Sequence, residues 1–376
     1  MISAGESVAS RPIRVAVIGC GLIAQAMHLP NLRTLPEHFE LVGICDLSPS
    51  QVARVGALYP WAHQYTDHRT MLERERPNAV LVLIDIPHGD VVVDACQAGA
   101  HVFVEKPFAV SLEEADEMIA AAAAARVQLM VGLMKRYDLG YRSGLRRIAR
   151  AEAPWLVEVH CVNGPNDPFI HDAHHILRGA GDLPGDVLRV VGARREQRLN
   201  EAVGGLPPPL RQAYMRMLGL STHNTAMLRG LIPHPRAVAS TTIWLHGDAF
   251  VSTIECDPPT TALYYTGPSQ SKVFDESLTA HQQGQTVKIS FPSPFLPNAP
   301  TTVDCTSMEG DEIVSTRVIA SFKGSFREEL LHFHDCIVHD REPETSGRDT
   351  RHDHALLLAM LRASIQGRQE LPAPAR

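Results

Sequence analysis

The chain reads as an α/β protein in which an N-terminal, doubly wound parallel sheet precedes a C-terminal domain built on an open, mostly antiparallel sheet. Three observations carry this reading. Short apolar runs alternate with helical patterns from Arg14 to Gly132, and a glycine-rich turn joins the first run to the first helix. From about Leu139 the alternation stops, and strands rich in Thr, Val, Ile and Tyr follow one another at hairpin spacing.

Arg14 to Ile18 is an apolar run suited to a buried parallel strand, and it feeds Gly19-Cys20-Gly21-Leu22-Ile23-Ala24, where a helix begins. Gly19 permits the tight turn, Gly21 leaves the backbone open to a pyrophosphate, and the small Ala24 lets helix and strand approach. The N–H groups at Leu22 and Ile23 open the helix and complete the phosphate site. A second run, Glu40 to Cys45, ends in Asp46, whose carboxylate is placed to accept from the hydroxyls of an adenine ribose and to repel a 2′-phosphate. This is a dinucleotide fingerprint on a Rossmann sheet, and it favours NAD over NADP.

Pro49 to Tyr59 reads as a helix capped by Ser48, Ala79 to Ile84 as a strand and Val91 to Ala98 as a helix. His101 to Val104 follows as a strand, Leu112 to Arg126 as a helix capped by Ser111, and Gln128 to Gly132 as a strand. Ligands of such a sheet lie at the carboxyl ends of its strands. Those ends are Asp85-Ile86-Pro87-His88, Glu105-Lys106-Pro107 and Gly132-Leu133-Met134-Lys135-Arg136-Tyr137. Pro87, His88, Glu105, Lys106 and Arg136 are the candidate cofactor contacts there, and Lys135 and Tyr137 the candidate substrate contacts. Glu105 reads either as an exposed loop acid or as a hydrogen-bonding neighbour of the nicotinamide or of Lys106. Only five of the 35 basic residues are lysines, so a lysine at this edge is poorly explained as a generic surface charge. Pro107 keeps Lys106 out of the helical region.

The change of pattern sets the expected domains at residues 1–137, nucleotide-binding, and 138–376, substrate-binding and oligomerising, with a long insert at about 162–220. Gly140 to Ala149 reads as a helix. Leu156 to Cys161, Val238 to His246, Phe250 to Glu255, Ala262 to Thr266 and Thr286 to Phe291 read as strands. The insert holds His171-Asp172-Ala173-His174-His175, a polar helix from Gly185 to Ala202, the punctuation Pro207-Pro208-Pro209 and a helical segment Leu210 to Leu218. It is either a lid or an oligomer contact. Two closing helices, Phe326 to His339 and Asp353 to Gln366, carry the stripes Leu330, Phe333, Ile337 and Leu357, Leu361, Ile365.

Composition excludes several classes. A net charge of -7 offers no basic face for nucleic acid. No apolar run reaches the ~18 residues of a membrane span, and no signal-peptide pattern opens the chain, so a cytoplasmic protein is expected. Seven cysteines without a C-x-x-C pair read as reduced core residues. His332, His334, His339, His352 and His354 tempt a metal reading, but helical neighbours two apart point in different directions, and no metal is expected.

At these residues the chain resembles the glucose-fructose oxidoreductase / inositol dehydrogenase / MocA family. The likeness is carried by Gly19 to Ala24, Asp46, Val104-Glu105-Lys106-Pro107-Phe108, Gly132 to Asp138, Ser221-Thr222-His223-Asn224 through Leu231, and Arg341 to Gly347. It implies a homo-dimer or homo-tetramer assembled through the open sheet, NAD as cofactor, and Lys106 and His223 flanking a reacting carbinol.

Oxidising a secondary alcohol requires a base within hydrogen-bond reach of the hydroxyl as the hydride leaves. Lys106, with its ammonium disfavoured by burial, is one candidate, and His223, whose ordinary pKa is near neutrality, is the other; taken alone, His223 also reads as a capping or core residue. The family's aspartate one helical turn before this histidine is here Gly219. Without that carboxylate, His223 is expected to titrate near its ordinary value of about 6.5 unless burial depresses it. Asn224 can orient a sugar hydroxyl, and Asp172 and His175 can supply a replacement contact from the insert or remain an exposed loop. The expected activity is NAD-dependent oxidation or reduction of a secondary hydroxyl or ketone on a sugar, glycoside or cyclitol. Redox-neutral elimination or epimerisation with retained NAD, and a nucleotide-binding regulator, stay open.

Overall fold

The computed structural model describes residues 11–372. Its first sheet is formed by β1 (Ile13–Ile18), β2 (Phe39–Cys45), β3 (His63–Tyr65), β4 (Ala79–Val82), β5 (His101–Glu105) and β6 (Leu129–Gly132). The order is β3-β2-β1-β4-β5-β6, parallel throughout. A π-helical turn Ala24–His28 running into α1 (Leu29–Arg33) follows β1, and α2 (Pro49–Gly56), α3 (His68–Glu75), α4 (Gly89–Gln97) and α5 (Leu112–Ala125) complete the crossovers. Val15, Val17, Ala79, Leu81 and Val104 are wholly buried, as strands covered on both faces require. The chain reverses direction across the sheet between β1 and β4, and ligands bind in the crevice opened by such a switch. Ser48 caps α2 through the Gln51 N–H at 3.1 Å, and Ser111 caps α5 through that of Glu114 at 3.1 Å, both as the sequence indicates.

The second domain holds α6 (Leu139–Ile148), β7 (Leu156–Asn163), α7 (Asp167–Ala173), α8 (Gly185–Val203) and α9 (Pro208–Leu231). Then come β8 (Ala237–Trp244), β9 (Ala249–Glu255), β10 (Thr261–Pro268), β11 (Phe274–Gln282), β12 (Gln285–Phe291), β13 (Thr302–Glu309) and β14 (Glu312–Ile319), followed by α10 (Ser325–Val338), α11 (Gly347–Gln366) and β15 (Gln369–Glu370). The nine strands run β14-β13-β12-β11-β7-β10-β9-β8-β15, antiparallel except where β10 pairs with β7. Val157, Val159, Tyr264, Leu278 and Ala280 on one face pack with Tyr214, Met217 and Leu228 of α9 and Leu357 and Leu361 of α11. Leu330 and Phe333 of α10 return to the first domain and pack with Phe103, Met130 and Tyr137.

Several elements depart from the sequence reading. The triple proline does not punctuate the insert; it opens α9, where proline at a first helical position loses no hydrogen bond, and the helix runs unbroken to Leu231. β3, α3, β11, β13 and β14 are absent from that reading. β11 is masked by Asp275, Glu276 and Ser277, polar residues in a strand that is mostly buried. β13 and β14 did carry a signal, β-branched runs flanking a turn at Gly310 with φ +64°. Ile365, expected in the core stripe of α11, is 45% exposed, because the helix is ending beyond the sheet it packs on. Six of the seven cysteines are buried, and burial pushes the Cys96 thiol up to about 12. Among the described residues no helix is long and apolar enough to cross a membrane.

Candidate active site

The glycine turn has the shape a dinucleotide needs. Gly19 has φ +97°, and a Cβ there would meet the Leu83 carbonyl oxygen at 2.7 Å, so only glycine fits. At Gly21 a Cβ would meet nothing within 4 Å, which leaves an open cradle in front of the first N–H groups of the helix. Asp46 closes the turn from the end of β2. Its Oδ2 accepts from the Cys20 N–H at 2.9 Å and its Oδ1 from the Ser48 N–H at 2.9 Å, so its orientation is set by backbone.

At the end of β5 the two domains meet through one side chain. Lys106 Nζ donates to the carbonyl of Gly219 on α9 at 3.0 Å, one helical turn before His223. Burial lowers the Lys106 pKa, with the charge of Lys135 adding to the effect and Glu105 opposing it. His223 is held well below its ordinary range, first by burial and then by the charges of Lys106 and Lys135. It is therefore a neutral imidazole at neutral pH, and its Nδ1 is buried without a hydrogen-bond partner. The condition attached to the value of about 6.5 is thus met in the depressing direction. Lys135, on the short turn after β6, forms a buried ion pair with Glu276 of β11, and Asn224 Nδ2 donates to the same Glu276 Oε1 at 2.6 Å. Glu276 was missed in the sequence, although it shares the inward face of β11 with Leu278 and Ala280 at period two.

Beneath this cluster lies a second, drier one. Glu105 is buried, its Oε1 2.7 Å from His28 Nε2 and its Oε2 accepting the Lys106 N–H at 3.0 Å. It is no exposed loop acid; it is the neighbour of Lys106, bonded to that residue's backbone. Glu329 of α10 approaches both groups, wholly buried, with neither oxygen hydrogen-bonded. Burial, then the charge of Glu105, raises its pKa well above the ordinary carboxyl range. The His28–Glu105 separation is that of a hydrogen bond, since two ligands of a tetrahedral zinc stand about 3.3 Å apart. Glu329 could have been found from the stripe Phe326, Glu329, Leu330, Phe333, in which it occupies a core position.

Other candidates fall outside the cluster. His88 is buried, and its Nε2 donates to the Phe108 carbonyl at 2.9 Å, while Pro87 follows a cis peptide beside it. The Arg136 guanidinium faces Asp349 at 3.5 Å and the Ala226 carbonyl at 3.5 Å, between α9 and α11. Tyr137 is drawn into the core: it is 1% exposed, and its hydroxyl lies 2.7 Å from Thr345 Oγ1, so it lines no substrate pocket. Asp172 and His175 stand exposed at α7 and just beyond it, and the insert touches the nucleotide domain through residues 176–182 and through α8, where Arg194 pairs with Asp90 and Arg198 with Glu117. Among the histidines of α10 and α11, His332 packs on Tyr137, His354 on Tyr214, His334 on His38 and His352 on His234. A surface hollow of about 760 Å³ around Arg11, Asn78 and Ile337 lies at the amino ends of the strands, opposite the site.

Residues 13–133 match the model of an oxidoreductase family with an NAD-binding Rossmann fold. Inositol 2-dehydrogenase 3 of Saccharopolyspora erythraea is 30% identical over 172 residues, covering 45% of this chain and 50% of that protein. The chain spans no more than half the length of the curated relatives it first matches. Two solved structures extend the likeness to both domains. Aldose-aldose oxidoreductase from Caulobacter crescentus, complexed with glycerol, aligns with 96% of this chain and 100% of its own at TM-score 0.73 and 18% identity. The WlbA dehydrogenase from Bordetella pertussis, in complex with NADH and UDP-GlcNAcA, aligns with 98% and 100% at TM-score 0.70 and 20% identity. These two establish the fold.

Glu329 yields a stability test. A carboxyl whose pKa is raised on folding contributes stability that is present below its unfolded value of 4.5 and is lost as pH rises toward the folded value. Glu329→Gln keeps the shape and removes that loss. Its thermal stability should gain on wild type as pH rises above about 5, by up to about 1.4 kcal/mol per pH unit. Melting curves across that range that keep a constant gap would show that Glu329 is ionised in the folded protein.

Proposed function

We propose, from the match of residues 13–133 to the NAD-binding Rossmann model of the Gfo/Idh/MocA oxidoreductase family, that the chain is an NAD-dependent dehydrogenase acting on a secondary hydroxyl, or the matching ketone, of a sugar, glycoside or cyclitol. The observation that carries the reading is the reach of Lys106 to the Gly219 carbonyl, which brings an ammonium within one helical turn of a neutral histidine whose Nδ1 is buried. NAD, when bound, would supply the hydride acceptor, and the Gly19–Ile23 turn and Asp46 would hold it. The remaining work falls to the chain. Lys106 directs N–H donors at the oxygen on which charge develops, and its burial makes that interaction stronger than it would be in water. His223, kept neutral by burial and two neighbouring cations, accepts the hydroxyl proton. Asn224 and Lys135, both tied to Glu276, orient the neighbouring hydroxyls of a polyol. The absence of a side chain at Gly219 leaves open space beside Lys106, which suits a substrate carrying a bulky group such as a glycoside. A homo-oligomer follows from the family likeness; exposed Ile313 and Ile319 on β14 are consistent with a covered sheet edge.

Lys106→Met should leave NAD affinity nearly unchanged and lower kcat by about 10²-fold or more, and Lys106→Arg should not restore it, because a longer, planar guanidinium does not place its donors where the compact ammonium does. Turnover near wild type in a panel of sugars and cyclitols would refute the assignment. The acid limb of kcat/KM should fall below the ordinary histidine range of about 6.5, since the protonated form of His223 is the disfavoured one. Gly219→Asp returns a negative charge to the same helical face and should move that limb to higher pH. A limb at 6.5 that Gly219→Asp does not move would assign the titration to another group.

A further inference from the structure

The insert crosses to the nucleotide domain as a strap between α7 and α8. Ile176 packs against Ala26, Met27 and Phe326. The next residue is held from two sides: the Leu177 N–H donates to Gln25 Oε1 at 2.8 Å, and the Leu177 carbonyl accepts from Gln25 at 2.9 Å and from Gln51 at 3.1 Å. The same two glutamine amides donate to the carbonyl of Cys20 at 2.8 and 2.7 Å, in the middle of the glycine turn. Strap and turn therefore share their donors. Farther on, the Gly179 N–H donates to Gln51 Oε1 at 2.5 Å and the Ala180 N–H to Ser50 Oγ at 2.7 Å.

The strap ends on a charge. Asp182 Oδ2 accepts from the Ser50 N–H at 3.0 Å, and its Oδ1 accepts from Ser50 Oγ at 2.8 Å and from Ser48 Oγ. These hydroxyls hold its carboxyl below the usual carboxylate range. Ser48 and Ser50 stand two and four residues beyond Asp46, at the start of α2. In a dinucleotide site of this kind the acid after the second strand serves the ribose hydroxyls, and the residues just beyond it are those that meet a 2′-phosphate when the cofactor carries one. Hydroxyls and helix N–H groups are suitable donors for that phosphate, and residues 46–52 contain no basic side chain to compete for it.

Resting on the dehydrogenase reading above, we propose that residues 176–182 form a latch on the dinucleotide site in which Asp182 fills the seat of a 2′-phosphate, so that the closed strap accepts NAD, excludes NADP and slows cofactor release. The exclusion acts twice, by occupancy and by like charge. It is independent of Asp46, which repels the same phosphate from the strand side. The seat is also tight: a Cβ on Gly179 would meet Ser50 Oγ at 2.8 Å, Ser48 Oγ at 2.9 Å and the Gln51 nitrogen at 3.0 Å. A branched residue there lifts the strap without touching its acid.

The test titrates the full-length protein with NAD and NADP by calorimetry and follows NAD release by stopped flow. Asp182→Ala should tighten NADP by about tenfold while NAD affinity shifts by no more than about threefold, and NAD should leave faster. Gly179→Val should reproduce both effects with Asp182 present, and Asp46→Ser, in combination with Asp182→Ala, should raise NADP affinity further, because the two acids act separately. If NAD binds and either strap variant keeps the wild-type NAD to NADP ratio, the latch is overturned and the dehydrogenase reading stands. Failure of every form to bind either dinucleotide overturns both.

Discussion

The hydrogen bond from the Lys106 ammonium to the Gly219 carbonyl is where the two domains become one site. An ammonium at the end of a buried strand is costly unless donors and charge are matched, and the nearest acceptor is a helix carbonyl from the other domain. That helix must bring its backbone close, which a side chain at position 219 would obstruct only if it turned toward the lysine; glycine removes the question at a cost of about 1 kcal/mol in helix propensity. The unbroken length of α9, from the triple proline to Leu231, then sets His223 and Asn224 without a further joint.

The electrostatics follow from that approach. Three nitrogen bases, Lys106, Lys135 and His223, gather in a region largely removed from water, and two acids answer them at different depths. Glu276 neutralises Lys135 and holds Asn224, so the substrate side of the cluster is fixed by β11 of the second domain. Glu105 lies below, tied to His28 and backed by Glu329. Glu105 raises the Lys106 pKa while burial and the charge of Lys135 lower it, and the net effect is a fall dominated by burial. His223 has no acid of its own and stays neutral.

The insert spans from the sheet domain to the nucleotide domain and lays an acid beside the start of α2. Loops of this length beside a site commonly gate it, and here the gate acts on the cofactor.

Much of this was legible in the residues themselves. Gly19, Gly21 and Asp46, the apolar runs of the parallel sheet, the serine caps and the Glu-Lys-Pro after β5 are local signals, because turn geometry, strand burial and capping each depend on a few neighbours in the chain. Long-range pairing is not local. That Glu276 would answer Lys135 across 141 residues, that Glu329 would come to rest on Glu105, and that Asp182 would reach Ser48 were decided by how the sheets and helices pack. The same packing drew Tyr137 into the core and left Asp172 and His175 in water. A sequence determines which side chains can do chemistry at a strand end; only the folded arrangement determines which of them are desolvated together, and desolvation is what shifts their charge states.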